Sequence, residues 1–264
     1  MKSTEAKDIK IHVPFNGNIL LKKCLLNINA NKEIYTLWKV INVNAIDRLG
    51  MSDHGPVHFQ IVANIALRLA RILTKNGVKM SVVSDFGLSN NHAEVIIFLA
   101  SILHDLGISI SREGHEEFSL FLANNLLYQI LEFLPTQERT IVVSEILHAI
   151  ISHRDKGTPY TIEAGIVRVA DALDMSKGRS RIPYETGKVN IHSISAAAID
   201  NVEIKEGDTK LIQIVITMNN SAGIYQVDEL LRNKFKGCRL EDYVEIQAFV
   251  KAGREKKLIK NYTF

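Results

Sequence analysis

The chain has 264 residues, of which 46% are hydrophobic and 23% are charged, and its formal net charge is +3. This length and composition support a real hydrophobic core in one large or two ordinary domains, and they exclude a disordered, collagenous or low-complexity chain. Two cysteines far apart in sequence, Cys24 and Cys238, exclude a disulfide framework and a cysteine-based zinc site. The small net charge gives no argument for nucleic acid as a partner.

The first residues contain no apolar core of signal-peptide length, and no uninterrupted apolar run approaches the roughly 18–20 residues needed to cross a bilayer. We therefore expect a cytoplasmic protein without a membrane partner. The nine histidines are unevenly distributed, because seven of them lie within one window of a hundred residues: His54, His58, His92, His104, His115, His148 and His153.

Apolar spacing predicts helices from about residue 30 to residue 175. The first strong pattern covers Val57–Leu73. The next helix is expected to begin with Asn91 as its N-cap, paired with Glu94, and to end at Gly107. Because this helix is apolar nearly all round, we place it at the centre of the domain. Three more helices follow after short connections, which favour a compact bundle: Glu116–Phe133, Thr136–His153 and Thr161–Met175.

The pattern changes beyond Gly178. The segments SAAAIDNVEI, KLIQIVITM and YVEIQAFVKA alternate in polarity or are rich in β-branched residues, which predicts strands, with one amphipathic helix over Gln226–Phe235 between them. The sequence thus predicts a mainly α protein: a helical domain of residues 1–185 and a small α+β domain of residues 186–264. The boundary is expected in the segment SKGRSRIPYETGK.

Polar residues that suit metal binding interrupt three of the apolar helices. His104 and Asp105 end the most apolar one, Asp171 lies in the middle of another, and His58 begins a third. An unpaired buried charge costs several kcal/mol, so these side chains need a partner. A divalent cation is one such partner, and imidazole with carboxylate suits Mn, Fe, Co, Ni or Zn. For the dipeptide by itself, a helix-terminal His with a capping Asp is the alternative.

The ordered set of His58, His104-Asp105 and Asp171, each in apolar surroundings, resembles the HD-domain superfamily of metal-dependent phosphohydrolases. The resemblance covers roughly residues 40–180. It implies a helical bundle in which these four residues bind a divalent metal ion. The candidate metals are then Mn, Fe, Mg, Co, Ni and Zn.

Two further stretches resemble the HD-GYP branch of that superfamily: Gly114-His115, and the segment from His153 to Tyr160. The resemblance implies that His115 and His153 bind a second ion and that Asp105 bridges the two. The chain departs from the branch because Ser152 replaces one of its paired histidines and the Gly-Tyr-Pro motif is absent. We therefore do not expect cyclic di-GMP as substrate, and the number of ions, one or two, stays open.

Other residues near these motifs are candidates for substrate binding and proton transfer. Cationic side chains close to the predicted metal ligands suit phosphate binding, and five are candidates: Arg154, Lys156, Lys177, Arg179 and Arg181. For the last three, the alternative is that they belong to a solvated linker between domains. Proton transfer is expected from Asp105 if it bridges, or from an outer-shell group such as His54, Glu116 or Glu117. His54 is also an alternative to His58 as the first ligand. His148 is expected to be a core or outer-shell residue, and His12, His92 and His192 to be structural or surface residues.

Together these features predict an enzyme that hydrolyses a phosphate mono- or diester, with a nucleotide as the favoured substrate, by means of a metal-activated water. The alternative is a catalytically silent HD domain that binds a nucleotide or a partner protein. The strands of the C-terminal domain are candidates for a homodimer interface or for a lid over the site.

Overall fold

The computed structural model describes residues 10–154, 156–185, 187, 190–251 and 262–263. Part of the predicted boundary segment lies outside the described residues. The helices up to residue 185 are α1 (Ile19–Ala30), α2 (Lys32–Asn42), α3 (Pro56–Lys75), α4 (Ser81–Phe86), α5 (Asn90–Leu103), α6 (His115–Ile130), α7 (Thr136–Ser152), α8 (Ile162–Leu173) and α9 (Arg181–Glu185). A π-helix, Val43–Arg48, continues α2, and 3₁₀ turns lie at Leu106–Ser109 and Lys177–Ser180.

Helix α5 lies at the centre of the bundle, as its apolar sequence predicts, and ten of its residues are buried. Its predicted N-cap is wrong by two residues, because Ser89 and not Asn91 is the N-cap and His92 completes the capping box. Glu94 instead pairs with Arg71 on α3, with 2.7 Å between Oε1 and Nε. The helix also ends before Gly107, which lies in the following 3₁₀ turn.

Two helical stretches, Pro56–Lys75 and Asn90–Ser109, are long and apolar enough to cross a membrane by length and composition. Within the fold, however, 56% and 83% of these windows are buried. Such burial is typical of the core helices of a bundle.

The C-terminal part contains α10 (Ile191–Ala197), β1 (Ile199–Glu206), β2 (Ile212–Met218), β3 (Val244–Val250), β4 (Tyr262–Thr263) and the helical segment Gln226–Phe235. This segment begins as a π-helix, Gln226–Arg232, and ends as α11, Asn233–Phe235. The strand order is β1-β2-β3-β4. The β2–β3 pair is parallel, and its two neighbouring pairs are antiparallel. The predicted mainly α fold followed by a small α+β part is confirmed.

The first predicted strand began too early, because the residues before Ile199 form α10. Asn190 and Ser193 make a capping box at the start of this helix, and such a box satisfies backbone donors that a helix leaves free.

Buried apolar residues on both sides of residue 185 belong to one contiguous cluster. It includes the interior of α5 and the alternate residues Ile212, Ile214 and Ile216 of β2. The division into residues 1–185 and 186–264 therefore stays a prediction. The continuous core means that the sheet and its helical segment are packed against the bundle that holds the polar residues described next.

Candidate metal centre

The histidines and aspartates singled out in the sequence converge at the ends of helices. His58 lies in the first turn of α3, and His104 and Asp105 directly follow α5. His115 begins α6 and His153 directly follows α7. Asp171 lies in the last turn of α8, so its expected mid-helix position is wrong. Because the helix ends meet in the core, side chains from five helices gather there.

The first cluster surrounds one oxygen of Asp171. Its Oδ1 lies 3.3 Å from Nε2 of His58 and 3.6 Å from Nε2 of His104. The two Nε2 atoms are themselves 3.3 Å apart. His58 and His104 are almost completely buried, with side-chain exposures of 1% and 0%, whereas Asp171 is 16% exposed. These three residues form a group whose ligand atoms could hold one metal ion.

The second cluster surrounds one oxygen of Asp105. Its Oδ1 lies 3.0 Å from Nε2 of His115 and 3.6 Å from Nε2 of His153. The other oxygen, Oδ2, faces the first cluster, at 3.9 Å from Nε2 of His58 and 3.6 Å from Nε2 of His104. Asp105 thus presents one carboxylate oxygen to each pair of histidines.

The ring orientations favour Nε2 as the ligand atom. Nδ1 lies 2.9 Å from the Ser101 carbonyl in His104 and 2.5 Å from the Ile150 carbonyl in His153. In His115 the corresponding distance to the Arg112 carbonyl is 2.9 Å. In His115 a donor, Nη1 of Arg112, also lies 2.8 Å from Nδ1. Because a carbonyl only accepts, Nδ1 of His104 and Nδ1 of His153 carry the proton in these hydrogen bonds. In the neutral ring Nε2 then holds a lone pair that faces the carboxylates.

Asp174 anchors the remaining histidine of the first cluster. Its Oδ2 lies 2.6 Å from Nδ1 of His58 and 3.1 Å from Nη1 of Arg179, and its side chain is 3% exposed. A carboxylate on the far nitrogen of a histidine ligand fixes the ring and raises its basicity. Asp174 was missed as a site residue in the sequence, although its place three residues after Asp171 puts both carboxylates near one side of the helix end.

The donor set fits a divalent metal ion. Nε2 of His58 and Nε2 of His104 lie 3.3 Å apart, and the buried carboxylates of Asp105 and Asp171 lie beside them. A metal cation placed among these atoms would attract both carboxylates and the lone pair of each deprotonated Nε2. Imidazole nitrogens with carboxylate oxygens are the ligands that first-row divalent metals prefer.

The pKa values of the carboxylates show how strongly the site stabilises their anionic form. Burial raises the pKa of Asp105, but the charge of His104 and the hydrogen bonds from His115 and His153 outweigh it and hold that pKa well below its usual range. For Asp171, burial likewise raises the pKa, and Lys234 is the largest opposing influence that keeps it well below its usual range. Both groups are therefore anions at neutral pH.

The pKa values of two neighbouring histidines move in opposite directions. Burial and Arg179 lower the pKa of His58, but hydrogen bonds to Asp171 and Asp174 overcome them and raise it to about 9. Burial and Arg179 also lower the pKa of His54, to about 3, so its ring is neutral. His54 is buried, its Nδ1 lies 2.8 Å from the Ser52 carbonyl, and its ring centre lies 5.6 Å from that of His58.

Glu116 lies at the second cluster. Its Oε2 is 3.1 Å from Nδ1 of His115, and its side chain is 17% exposed. With His115 and His153 it forms another group whose atoms could hold an ion. Glu117 points elsewhere, because it pairs with Arg154 at 3.0 Å and is half exposed. The catalytic roles of Asp105, His54 and Glu116 stay predictions.

The five predicted phosphate-binding cations occupy different places. Arg179 lies beside the centre, where Nη1 donates to Asp174 and, at 2.6 Å, to the Asp53 carbonyl. The other four, including Lys156, are exposed. Three of these four pair with carboxylates: Arg154 with Glu117, Lys177 with Asp200 and Arg181 with Glu185. Their role in substrate binding stays a prediction.

Two histidines of the sequence window lie in other structural settings. His148 accepts a hydrogen bond from the Tyr160 amide through Nε2 at 2.9 Å, and the two rings stack at 4.7 Å. His92 takes part in the cap of α5 and pairs with Glu138 at 3.2 Å.

Lys234, from the C-terminal part, is a residue of the centre that the sequence analysis did not identify. Its Nζ lies 2.6 Å from Oδ2 of Asp171. No sequence signal links two residues so far apart.

A helical bundle with the ordered set of His, His-Asp and Asp is that of the HD-domain proteins, and a sequence model described as HD domain matches residues 57–176. The chain belongs to the HD-domain superfamily, whose members are generally metal-dependent phosphohydrolases. A protein of Methanocaldococcus jannaschii, described as uncharacterized, is 43% identical over 234 residues, which cover 88% of this chain and 90% of that relative. No solved structure matched the chain. The predicted superfamily is thus confirmed, whereas the closer resemblance to the HD-GYP branch stays a prediction.

Proposed function

We propose that the protein is a metal-dependent phosphohydrolase that acts on a phosphate mono- or diester, with a nucleotide as the favoured substrate class. The observation that carries the proposal is the buried Asp105, whose two oxygens face two separate histidine pairs. A carboxylate in this arrangement is suited to bridging two ions, as in two-metal phosphatases.

The residues that would hold the two ions follow from the clusters. His58, His104 and Asp171 would hold the first ion, and His115 and His153 the second, with Asp105 shared between them. Four imidazoles favour Mn, Fe, Co, Ni or Zn over Mg, which prefers oxygen ligands. A divalent ion bound here would supply a water of lowered pKa and a Lewis acid for a phosphoryl oxygen.

The protein's own groups contribute orientation and proton transfer. The Nδ1 hydrogen bonds prevent the imidazoles from rotating, so Nε2 of each ring stays directed at the carboxylates. Glu116 is placed to move a proton, because its carboxylate lies at the second cluster and is partly open to solvent. His54 is neutral and has an unprotonated Nε2 when Nδ1 donates to Ser52. It is therefore the second candidate for proton transfer.

The test compares wild-type protein with Asp105→Asn, with Asp208→Asn as a control that removes the same charge from an exposed position. Metal content is measured on the purified proteins. Hydrolysis of p-nitrophenyl phosphate, bis(p-nitrophenyl) phosphate and a panel of nucleotides is then measured with Mn²⁺. Loss of an outer-shell partner already costs about 10–100-fold, so the loss of a bridging ligand is expected to lower activity by more than about a hundredfold.

Asp105→Asn protein with full metal content and full activity would refute the proposal. A wild-type protein that binds metal and nucleotide but hydrolyses none of these esters would support the alternative of a catalytically silent binding module. A cytoplasmic location and a homodimer stay predictions.

A further inference from the structure

We propose that the C-terminal α+β part completes the active site by supplying Lys234 as the cation that binds the phosphoryl group of the substrate. This inference rests on the proposed function, since it concerns the substrate of the same site.

The two oxygens of Asp171 have different partners. Oδ1 faces His58 and His104, whereas Oδ2 lies 2.6 Å from Nζ of Lys234. An ion held among Oδ1 and the two imidazoles therefore does not need the oxygen that Lys234 occupies. Lys234 can remain beside the metal centre when an ion is bound.

The helical segment Gln226–Phe235, which carries Lys234, packs with the residues just after it against one side of α8. Gly165, Arg168 and Asp171 are spaced three residues apart and lie along one side of the helix. A Cβ on Gly165 would lie 1.8 Å from the Cys238 carbonyl oxygen, so only glycine allows the two backbones to approach this closely. The contact fixes the chain just beyond α11 against α8.

The buried Arg168 ties the same segment to the second cluster. Its Nε donates to the Lys234 carbonyl at 2.8 Å. Its Nη1 donates to the carbonyls of Ser152 at 2.9 Å and Arg154 at 2.7 Å, on either side of His153. One guanidinium therefore fixes the backbone of Lys234 relative to a predicted ligand of the second ion. The position of Lys234 is determined by the core, and its side chain is not a free surface group.

The exposure of the side chains shows where substrate can approach. Lys234 and Asp171 are each 16% exposed, whereas His58 and His104 are 1% and 0% exposed. Solvent thus reaches the centre at the Lys234 edge. An ammonium group has three N–H donors, and Asp171 occupies one of them. Among the described residues Asp171 is the acceptor that Nζ contacts, so the other donors can bind a phosphate oxygen, with which an ammonium group makes charge-assisted hydrogen bonds.

The alternative is that Lys234 acts only through Asp171, as a positioning residue. The two roles differ in the equilibrium that they affect. A phosphate-binding lysine determines the affinity for phosphate at saturating metal. A positioning lysine determines the affinity for the metal itself and leaves phosphate binding at saturating metal unchanged.

The experiment compares Lys234→Met and Lys234→Arg with wild type. Lys236→Met is the matched control, because Lys236 lies two residues further on, is exposed, and carries the same charge. Mn²⁺ alone is titrated first by calorimetry. Inorganic phosphate is then titrated at saturating Mn²⁺ and followed by phosphorus NMR relaxation. Near-UV circular dichroism checks that each variant is folded, and Lys234→Gln replaces the Met variant if that one is not.

We expect Lys234→Met to bind Mn²⁺ within about twofold of wild type and phosphate about tenfold or more weakly, the size of one charge-assisted hydrogen bond. Lys234→Arg should recover part of the phosphate affinity, and Lys236→Met should match wild type. Unchanged phosphate affinity in Lys234→Met, or no phosphate binding by wild type with Mn²⁺, overturns the inference.

The readout needs no turnover. A wild-type protein that binds phosphate through Lys234 but hydrolyses no ester therefore overturns the proposed function and leaves this inference standing.

Discussion

Replacing Asp174 by asparagine tests whether the metal centre depends on a residue that is not itself expected to be a ligand. The substitution keeps the shape of the side chain and removes its charge. Asp174 is 3% exposed and contacts Nδ1 of His58 at 2.6 Å and Nη1 of Arg179 at 3.1 Å. An amide oxygen can still accept one hydrogen bond, so the variant removes the charge assistance more than the contact.

The expected loss of Mn²⁺ affinity in Asp174→Asn follows from these two contacts. A hydrogen bond to a charged group contributes about 1.5–3 kcal/mol, against about 1 kcal/mol for a neutral one. The difference for the His58 contact corresponds to roughly a tenfold change in affinity. Outer-shell carboxylates behind metal-binding histidines typically contribute 10–100-fold to metal affinity. We therefore predict that Asp174→Asn binds Mn²⁺ about 10–100-fold more weakly than wild type.

The assay is calorimetric titration of Mn²⁺ into metal-free protein, with competition by a chelator where binding is tight. The control is Asp228→Asn, which removes an equal charge from a carboxylate that pairs with Arg232 and is 37% exposed. Circular dichroism confirms folding, since the loss of the charge beside Arg179 is also expected to cost stability. Folded Asp174→Asn protein whose Mn²⁺ affinity stays within twofold of wild type would refute the assigned role of Asp174.

Three further predictions address packing, pH and metal. Gly107→Ala should destabilise the fold by about 1–3 kcal/mol or more, because its Cβ would lie 2.0 Å from the His115 carbonyl oxygen. The control is Gly178→Ala, whose Cβ would lie 3.9 Å from Oγ of Ser176, and equal losses of the unfolding midpoint in both variants would contradict this prediction. Burial, Glu163 and Asp85 raise the pKa of Glu145 to about 7. Ionisation then costs stability as the pH rises from the usual carboxyl range through 7, so Glu145→Gln should stabilise the protein by about 1 kcal/mol at pH 8 and by nothing at pH 4, allowing for solvent screening. Removal of divalent metal by a chelator should lower the melting temperature of wild type, and re-addition of Mn²⁺ should restore it; an unchanged melting curve would count against a metal centre in the core.

Local sequence signals predicted the helices well and their ends less well. The apolar periods of α3, α5, α7 and α8 lie within a few residues of the observed bounds. The start of α5 was misplaced, because Ser89 and Asn91 are both good N-cap residues and only the tertiary position of Glu94, paired with Arg71, decides between them. The first predicted strand includes residues 195–197, which are the end of helix α10, since a short capped helix and a half-buried strand have similar local composition.

The sequence by itself determined which residues were candidates for the centre. A histidine or aspartate in an apolar helix needs a partner in the core, and this requirement is visible from the pattern of His58, His104, Asp105 and Asp171 alone. Local patterns cannot show which oxygen of a carboxylate faces which imidazole, because that depends on how five helix ends meet.

Only the tertiary structure decided the division of Asp105 between two histidine pairs and the role of Asp174 behind His58. It also brought Lys234 to Asp171 from 63 residues away. The physical reason is that a hydrogen bond needs its donor and acceptor within about 3 Å of each other. The chain brings such distant groups together only when the whole apolar core has packed.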